Sequence, residues 1–215
     1  MEEVRDALRV LVRAGIVDWN GHASRRAGDG FVVNSAASNR AAPGDGDFSM
    51  VSLDGEAADG PRPPNEVHLH AAIYRARPDV NAVVHGHPRF LGALSSAGHP
   101  LLPVTPQAAL LGDVPTYPHA HSISTRERGE AVAALLGPGR AVLLRSHRIV
   151  AVGPDLPTAC ALALYAEEAA ERMLLAAPLG RATPLPPEEV EEYARTLQSP
   201  ALMQKAWDFM LAREG

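Results

Sequence analysis

The sequence reads as an α/β protein. Amphipathic helical segments alternate with short apolar runs of strand type along 215 residues, and glycines and prolines punctuate the changes between them. A hydrophobic content of 46% suffices for a full core, and the length suits one domain, residues 1–215. The alternation alone leaves the layering and the strand sense open.

Each element has a local reason. Residues 2–14 carry Val4, Leu8, Leu11 and Val12 on one helical face, and Gly15 is the stop. A strand from about His22, a turn at Asp29-Gly30 and the run Phe31-Val32-Val33-Asn34 predict a hairpin. Phe48 to Leu53 is the next strand, and residues 55–64 are a polar, proline-bearing loop. Asn65 is the expected N-cap of a helix whose first turn holds Glu66; Val67, His70, Ala71 and Tyr74 recur at helical spacing, and Pro78 closes it. Asn81-Ala82-Val83-Val84 is a strand that finishes in His85-Gly86-His87 before Pro88. A short helix over 88–98 follows, then an apolar stretch, Leu101 to Leu111, that is strand or buried loop. Thr125 caps a helix to Leu136. Ala141 to His147 and Ile149 to Gly153 are strands, and Asp155 with Pro157 opens a long helix to about Ala177. Residues 178–187 form a Pro/Gly linker to two C-terminal helices, 188–197 and 200–213, within the same domain.

Composition excludes several function classes. The net charge is −5, with no basic patch for nucleic acid or a membrane surface. The start lacks an apolar signal region, and no run approaches the length of a membrane span. The single cysteine, Cys160, excludes an intrachain disulfide. A cytoplasmic protein is the expectation.

The chemistry gathers in the stretch from Asn65 to Pro88. His85 and His87 are two apart on a strand, so both imidazoles project to one side, within reach of one ion. Imidazole is the commonest metal ligand, and a catalytic metal usually takes three protein ligands and keeps an open position. His147, at the end of another apolar strand, is the best third ligand. The pairs His68-Leu69-His70 and His119-Ala120-His121 lack strand context. His68, His70 and His99 read as structural or surface residues, and Trp19 and Tyr74 as packing.

These residues, a helix-starting glutamate, the run RPDVNAVVHGHP and a third histidine some sixty residues on, make the chain resemble the class II aldolase/adducin family over roughly residues 4–175. The resemblance implies a single-domain three-layer α/β/α sandwich with a central, mainly antiparallel sheet. It implies a divalent metal on His85, His87 and His147, zinc first, with manganese, cobalt or iron as alternatives. It makes Glu66 the acid/base. A helix start favours the glutamate anion and burial favours its acid, a balance expected to leave it exchanging protons near neutral pH. A homotetramer with sites at subunit borders is also implied.

The first third departs from the sugar-phosphate aldolases of that family. Their Gly-Asn is Gly21-His22 here, the hairpin runs into Asn34-Ser35-Ala36-Ala37-Ser38 without a glycine, and Pro64-Asn65 stands where Ser-Ser would hold a phosphate. An unphosphorylated, carboxylated small molecule is the expected substrate, with His22, Arg25, Asn34, Asn65, His119 and Arg148 in the substrate-binding set. The motifs Gly21-His22-Ala23-Ser24-Arg25 and Leu143-Leu144-Arg145-Ser146-His147 resemble the family's decarboxylases of carboxylated catechols. Arg148 replaces the glycine that usually follows the third histidine. The expected function is a metal-dependent lyase, a decarboxylase first. The alternatives are an aldolase on a hydroxy-keto acid, a non-haem iron oxygenase, or a non-catalytic module of adducin type.

Overall fold

A computed structural model describes residues 1–212, apart from the side chain of Arg148. Its centre is one eight-stranded sheet, in the order β4-β3-β2-β1-β5-β8-β7-β6. The strands are β1 His22–Ala27, β2 Gly30–Asn34, β3 Phe48–Ser52, β4 Ala57–Asp59, β5 Ala82–Gly86, β6 Thr116–Tyr117, β7 Ala141–Leu144 and β8 Arg148–Gly153. All neighbours are antiparallel except β6 and β7. The helices are α1 Glu2–Arg13, α2 Val67–Ala76, α3 Arg89–Ser96, α4 Arg126–Leu136, α5 Leu156–Ala176, α6 Pro187–Thr196 and α7 Pro200–Ala212.

Strand alternation divides the core in two. Ala23, Val32, Val84, Leu143 and Ile149 face α1, α3, α5 and α7, while Phe31, Val33, Val83, Val142 and Val150 face α2 and α4. The result is the three-layer α/β/α arrangement with a mainly antiparallel sheet. Thr125 and Asp155 cap α4 and α5 as expected, each accepting a backbone N–H from three residues on. Helices α2 and α4 touch closely because position 129 is glycine: a Cβ there would stand 2.4 Å from the His68 carbonyl oxygen.

Some expectations shift. Helix α2 begins at Val67, so Glu66 rather than Asn65 is its N-cap; the Asn65 side chain accepts from Arg62 instead, at 2.7 Å. The 101–111 stretch resolves into loop and a 3-10 turn, Gln107–Leu111. The short strands β4 and β6 lie where the sequence shows only loop, because two or three residues carry no readable period. Trp19, expected to pack, is 79% exposed. Among the described residues, no helix is long and apolar enough to cross a membrane.

Candidate metal centre and active site

The site is built at one end of β5, where three chain segments converge. His85 is on the α2 side of that strand, and β1 pairs with β5 so that His22 stands opposite it, the ring centroids 4.8 Å apart. His87 lies one residue past the strand. Its backbone N–H donates to the Ile16 carbonyl at 2.5 Å, and a Cβ on Gly86 would meet that same oxygen at 2.4 Å. The glycine therefore lets the loop after α1 lie across the strand end. His147 is not on a strand as expected. β7 stops at Leu144, and His147 sits on the tight turn to β8, closed by its N–H on the Leu144 carbonyl at 2.9 Å. Ser146 before it has φ +52°, which a two-strand reversal this short demands. The result brings one ring nitrogen from each of His85, His87 and His147 within 4.8 Å of the others.

Glu66 leans over this trio from the start of α2. Its Oε2 is 3.2 Å from His85 Nε2 and 3.4 Å from His22 Nε2, and its Oε1 is 3.9 Å from His147 Nε2. Oε1 also accepts from the Ser122 hydroxyl at 2.9 Å and the Ile123 N–H at 2.8 Å. Burial alone would raise the Glu66 carboxyl, but positive charge on its His85 side, with the His22 imidazole, outweighs burial and holds the group well below the usual carboxylate range. The expected near-neutral balance thus gives way to an anion, because the imidazoles stand closer than helix position could tell.

The donor set fits a divalent cation. His85 Nδ1 donates to the Ile149 carbonyl at 3.1 Å, which leaves the lone pair on Nε2. That buried nitrogen makes no hydrogen bond, and it faces a carboxylate at 3.2 Å. A lone pair and an anion so close repel unless a cation lies between them. Asp18 Oδ1 is 2.6 Å from His87 Nδ1, the carboxylate–imidazole pairing that turns the other nitrogen toward a metal. His22, Glu66 and His85 form a second donor group of the same size, sharing His85.

On its far side Glu66 abuts a sealed polar chain. His22 Nδ1 is 2.6 Å from His70 Nε2, His70 Nδ1 is 2.6 Å from Ser24 Oγ, and Ser24 Oγ is 2.8 Å from the Tyr74 hydroxyl. All four side chains are buried. The order of protons follows from the carboxylate. With the His22 hydrogen on Nε2, toward the Glu66 anion 3.4 Å away, the chain runs one way: His22 Nδ1 accepts from His70 Nε2–H, His70 Nδ1 accepts from the Ser24 hydroxyl, and Ser24 accepts from Tyr74. Burial, opposed by the Glu66 hydrogen bond and aided by the His85 charge, pushes His22 down to about 4. Burial likewise holds His70 well below its ordinary value, so both rings are neutral.

A cavity of about 230 Å³ opens on this centre, with His22, Asn65, Glu66, His87 and His147 on its walls. Other members of the expected set stand elsewhere. Arg25 points to the opposite face of β1, where its Nε pairs with Glu3 at 2.9 Å; strand alternation puts it out of phase with His22 and Ser24. Asn34 is buried, accepting from the Ala23 N–H at 3.0 Å, and so braces the hairpin. His119 is exposed and stacks on His121, the ring centroids 5.2 Å apart, away from the cavity. The Arg148 side chain lies outside the described residues. Ser122, Asp18 and Arg40 reach the centre without any motif to announce them; only Asp18, just ahead of Gly21-His22, sits near a readable signal. A larger groove of about 470 Å³ at the other end of β5, beside Val80 and Gly153, holds no histidine.

This geometry has relatives. The family described as Class II Aldolase and Adducin N-terminal domain matches residues 2–174, and the chain belongs to it. The chain is 30% identical to 3,4-dihydroxyphthalate decarboxylase of Arthrobacter keyseri, over 99% of this chain and 92% of that protein. It is 31% identical to L-fuculose phosphate aldolase of Escherichia coli O6:H1, over 91% of each. A solved L-fuculose 1-phosphate aldolase superimposes with a TM-score of 0.85 at 25% identity, covering 92% of this chain and 95% of that one. Family, fold and histidine trio make the chain a metal-dependent lyase of the class II aldolase/decarboxylase type.

Proposed function

We propose that this lyase is a decarboxylase acting on a small, unphosphorylated carboxylated substrate, a dihydroxy-aromatic carboxylate or a related hydroxy or keto acid. The observation that carries the reading is the cavity wall. Ala36 and Pro64, which bring no side-chain donor for a phosphate, line it beside Asn20, Arg40, Asn65 and Ser122, and a buried His22 stands where the sugar-phosphate enzymes carry asparagine. The similarity to 3,4-dihydroxyphthalate decarboxylase over nearly the whole chain supports it.

His85, His87 and His147 would hold the divalent ion, with zinc suited to three imidazoles. When bound, it supplies a Lewis acid for the electron pair released as the carbon–carbon bond breaks. Glu66 begins as the anion and takes the proton of the substrate hydroxyl. As CO2 leaves, the electron pair stays on the ring or chain carbon, and Glu66 returns the proton to that carbon. Solvent reprotonates the hydroxyl oxygen on release. Ser122 and Ile123 fix Oε1, which leaves Oε2, facing His22 and His85, to move the proton. In this scheme His22 donates from Nε2, with His70 donating to its Nδ1 from behind.

The test is CO2 release from dihydroxybenzoates and dihydroxyphthalates by the zinc-reconstituted protein, beside cleavage of L-fuculose 1-phosphate. CO2 release without sugar-phosphate cleavage is expected; the reverse pattern overturns the reading. The donor group His22, Glu66 and His85 favours one second reading, because two histidines and a carboxylate are the ligands of non-haem iron oxygenases. Oxygen uptake with ferrous iron and a catechol would establish it.

A further inference from the structure

Among the described residues, Arg40 is a cation at the site that touches no carboxylate, although Asp18 and Asp47 act on it from farther off. Arg40 is 5% exposed and lies on the cavity wall with His22, Asn65 and Glu66. Its Nε donates to the Gly21 carbonyl at 3.0 Å. Its Nη1 donates to the Ala36 carbonyl at 3.2 Å, to the Ser38 hydroxyl at 3.0 Å and to the Ser38 carbonyl. Those bonds clamp the loop after β2 onto the start of β1. Among the described residues, Nη2 makes no hydrogen bond and the guanidinium pairs with no carboxylate within 4.0 Å. A largely buried charge with no carboxylate in contact is costly, and a guanidinium edge is the shape that accepts a carboxylate. The clamp leaves that edge pre-set, so little ordering remains to be done on binding.

Reaction chemistry limits which carboxylate this can be. A group that departs as neutral CO2 loses its charge in the transition state. An ion pair to it would stabilise the substrate more than the transition state and slow the step. A fixed cation therefore suits an anionic group that the product keeps.

We propose that Arg40 anchors a second, retained carboxylate, and that the substrate is a small dicarboxylic acid whose product is a monocarboxylate. This rests on the decarboxylase reading and narrows its substrate class. The cavity of about 230 Å³ admits a single ring or short chain bearing the two acids. The role expected of Arg25 from sequence falls to Arg40, and for a different carboxylate.

The experiment is calorimetry on the zinc-reconstituted full chain with two probes, catechol and 3,4-dihydroxybenzoate, which differ by the retained carboxylate. Wild type is expected to bind the carboxylated probe about 10- to 100-fold more tightly. Arg40→Met should bring that ratio near one, with catechol affinity held within about threefold. Since Met also removes the loop clamp, Arg40→Gln, which keeps a donor for the carbonyls and removes the charge, is measured alongside. An undiminished ratio in both variants, or no preference in wild type, overturns the proposal. Benzoate and phenol, compared by ligand-observed NMR, read the same increment without chelating the metal. If catechol fails to bind while benzoate still depends on Arg40, the function reading falls and the anion anchor stands.

Discussion

Two sets of histidines flank Glu66, and they are built for opposite ends. His85, His87 and His147 crowd their ring nitrogens together at a cavity. His22 and His70, on the other side, spend theirs on each other, on Ser24 and on the carboxylate. The residue type is the same, so the difference lies in what the second nitrogen finds. A backbone carbonyl behind His85 takes one proton and leaves a lone pair aimed at the centre. A chain of neutral donors behind His22 turns an N–H toward Glu66 instead. One set is arranged to hold a cation and the other to hold an anion in place.

The comparison is broken most sharply at the metal. His85→Ala and His147→Ala should lose bound divalent metal by elemental analysis and activity by at least about 10³-fold, while His22→Ala keeps the metal. Metal lost from His22→Ala and kept by His147→Ala would move the ion to the other donor group. Next, Glu66→Gln should lower kcat by about 10²- to 10⁴-fold with zinc content unchanged, which steady-state kinetics beside metal analysis would show.

Acid should separate the two sets through stability. His22 is held at about 4 in the fold against 6.5 when unfolded. As pH falls below 6.5 the unfolded chain takes the proton first, so stability is lost on acidification, by about 3 kcal/mol once pH reaches the folded value. The window from 6.5 to about 5 lies above ordinary carboxylates, and urea midpoints of metal-free protein there should fall less steeply in His22→Gln. Asp18→Asn should weaken zinc affinity about 10- to 100-fold in a competition titration, because the pair behind His87 is lost. The smallest effect belongs to the far end of the chain: Tyr74→Phe leaves Ser24 without its donor, costs about 1 kcal/mol in chemical denaturation and spares zinc binding.

Much of this was legible in the residues. Period-two spacing and a following proline placed His85 and His87, and local caps at Thr125 and Asp155 were readable because a cap acts within three residues. The helix start was missed by one residue, since Asn65 and Glu66 are both polar and local propensity does not choose between them. Arg25 looked like a site residue by its place in Gly21-His22-Ala23-Ser24-Arg25. Strand phase turns it to the opposite face, and that phase became visible only once the pairing of β1 with β5 was known.

The sequence by itself determined the α/β alternation, the ligand-rich strand end and the acid beside it, because these depend on spacing along the chain. The tertiary structure alone decided which groups surround them. Asp18, Arg40 and Ser122 reach the centre from three separate loops, and His70 joins His22 across a strand–helix contact spanning 48 positions. Loop paths carry no period, and partners that distant share no local signal. Their meeting is set by sheet register and by close approaches such as the one at Gly86, where a single Cβ would push the Asp18 loop away from His87.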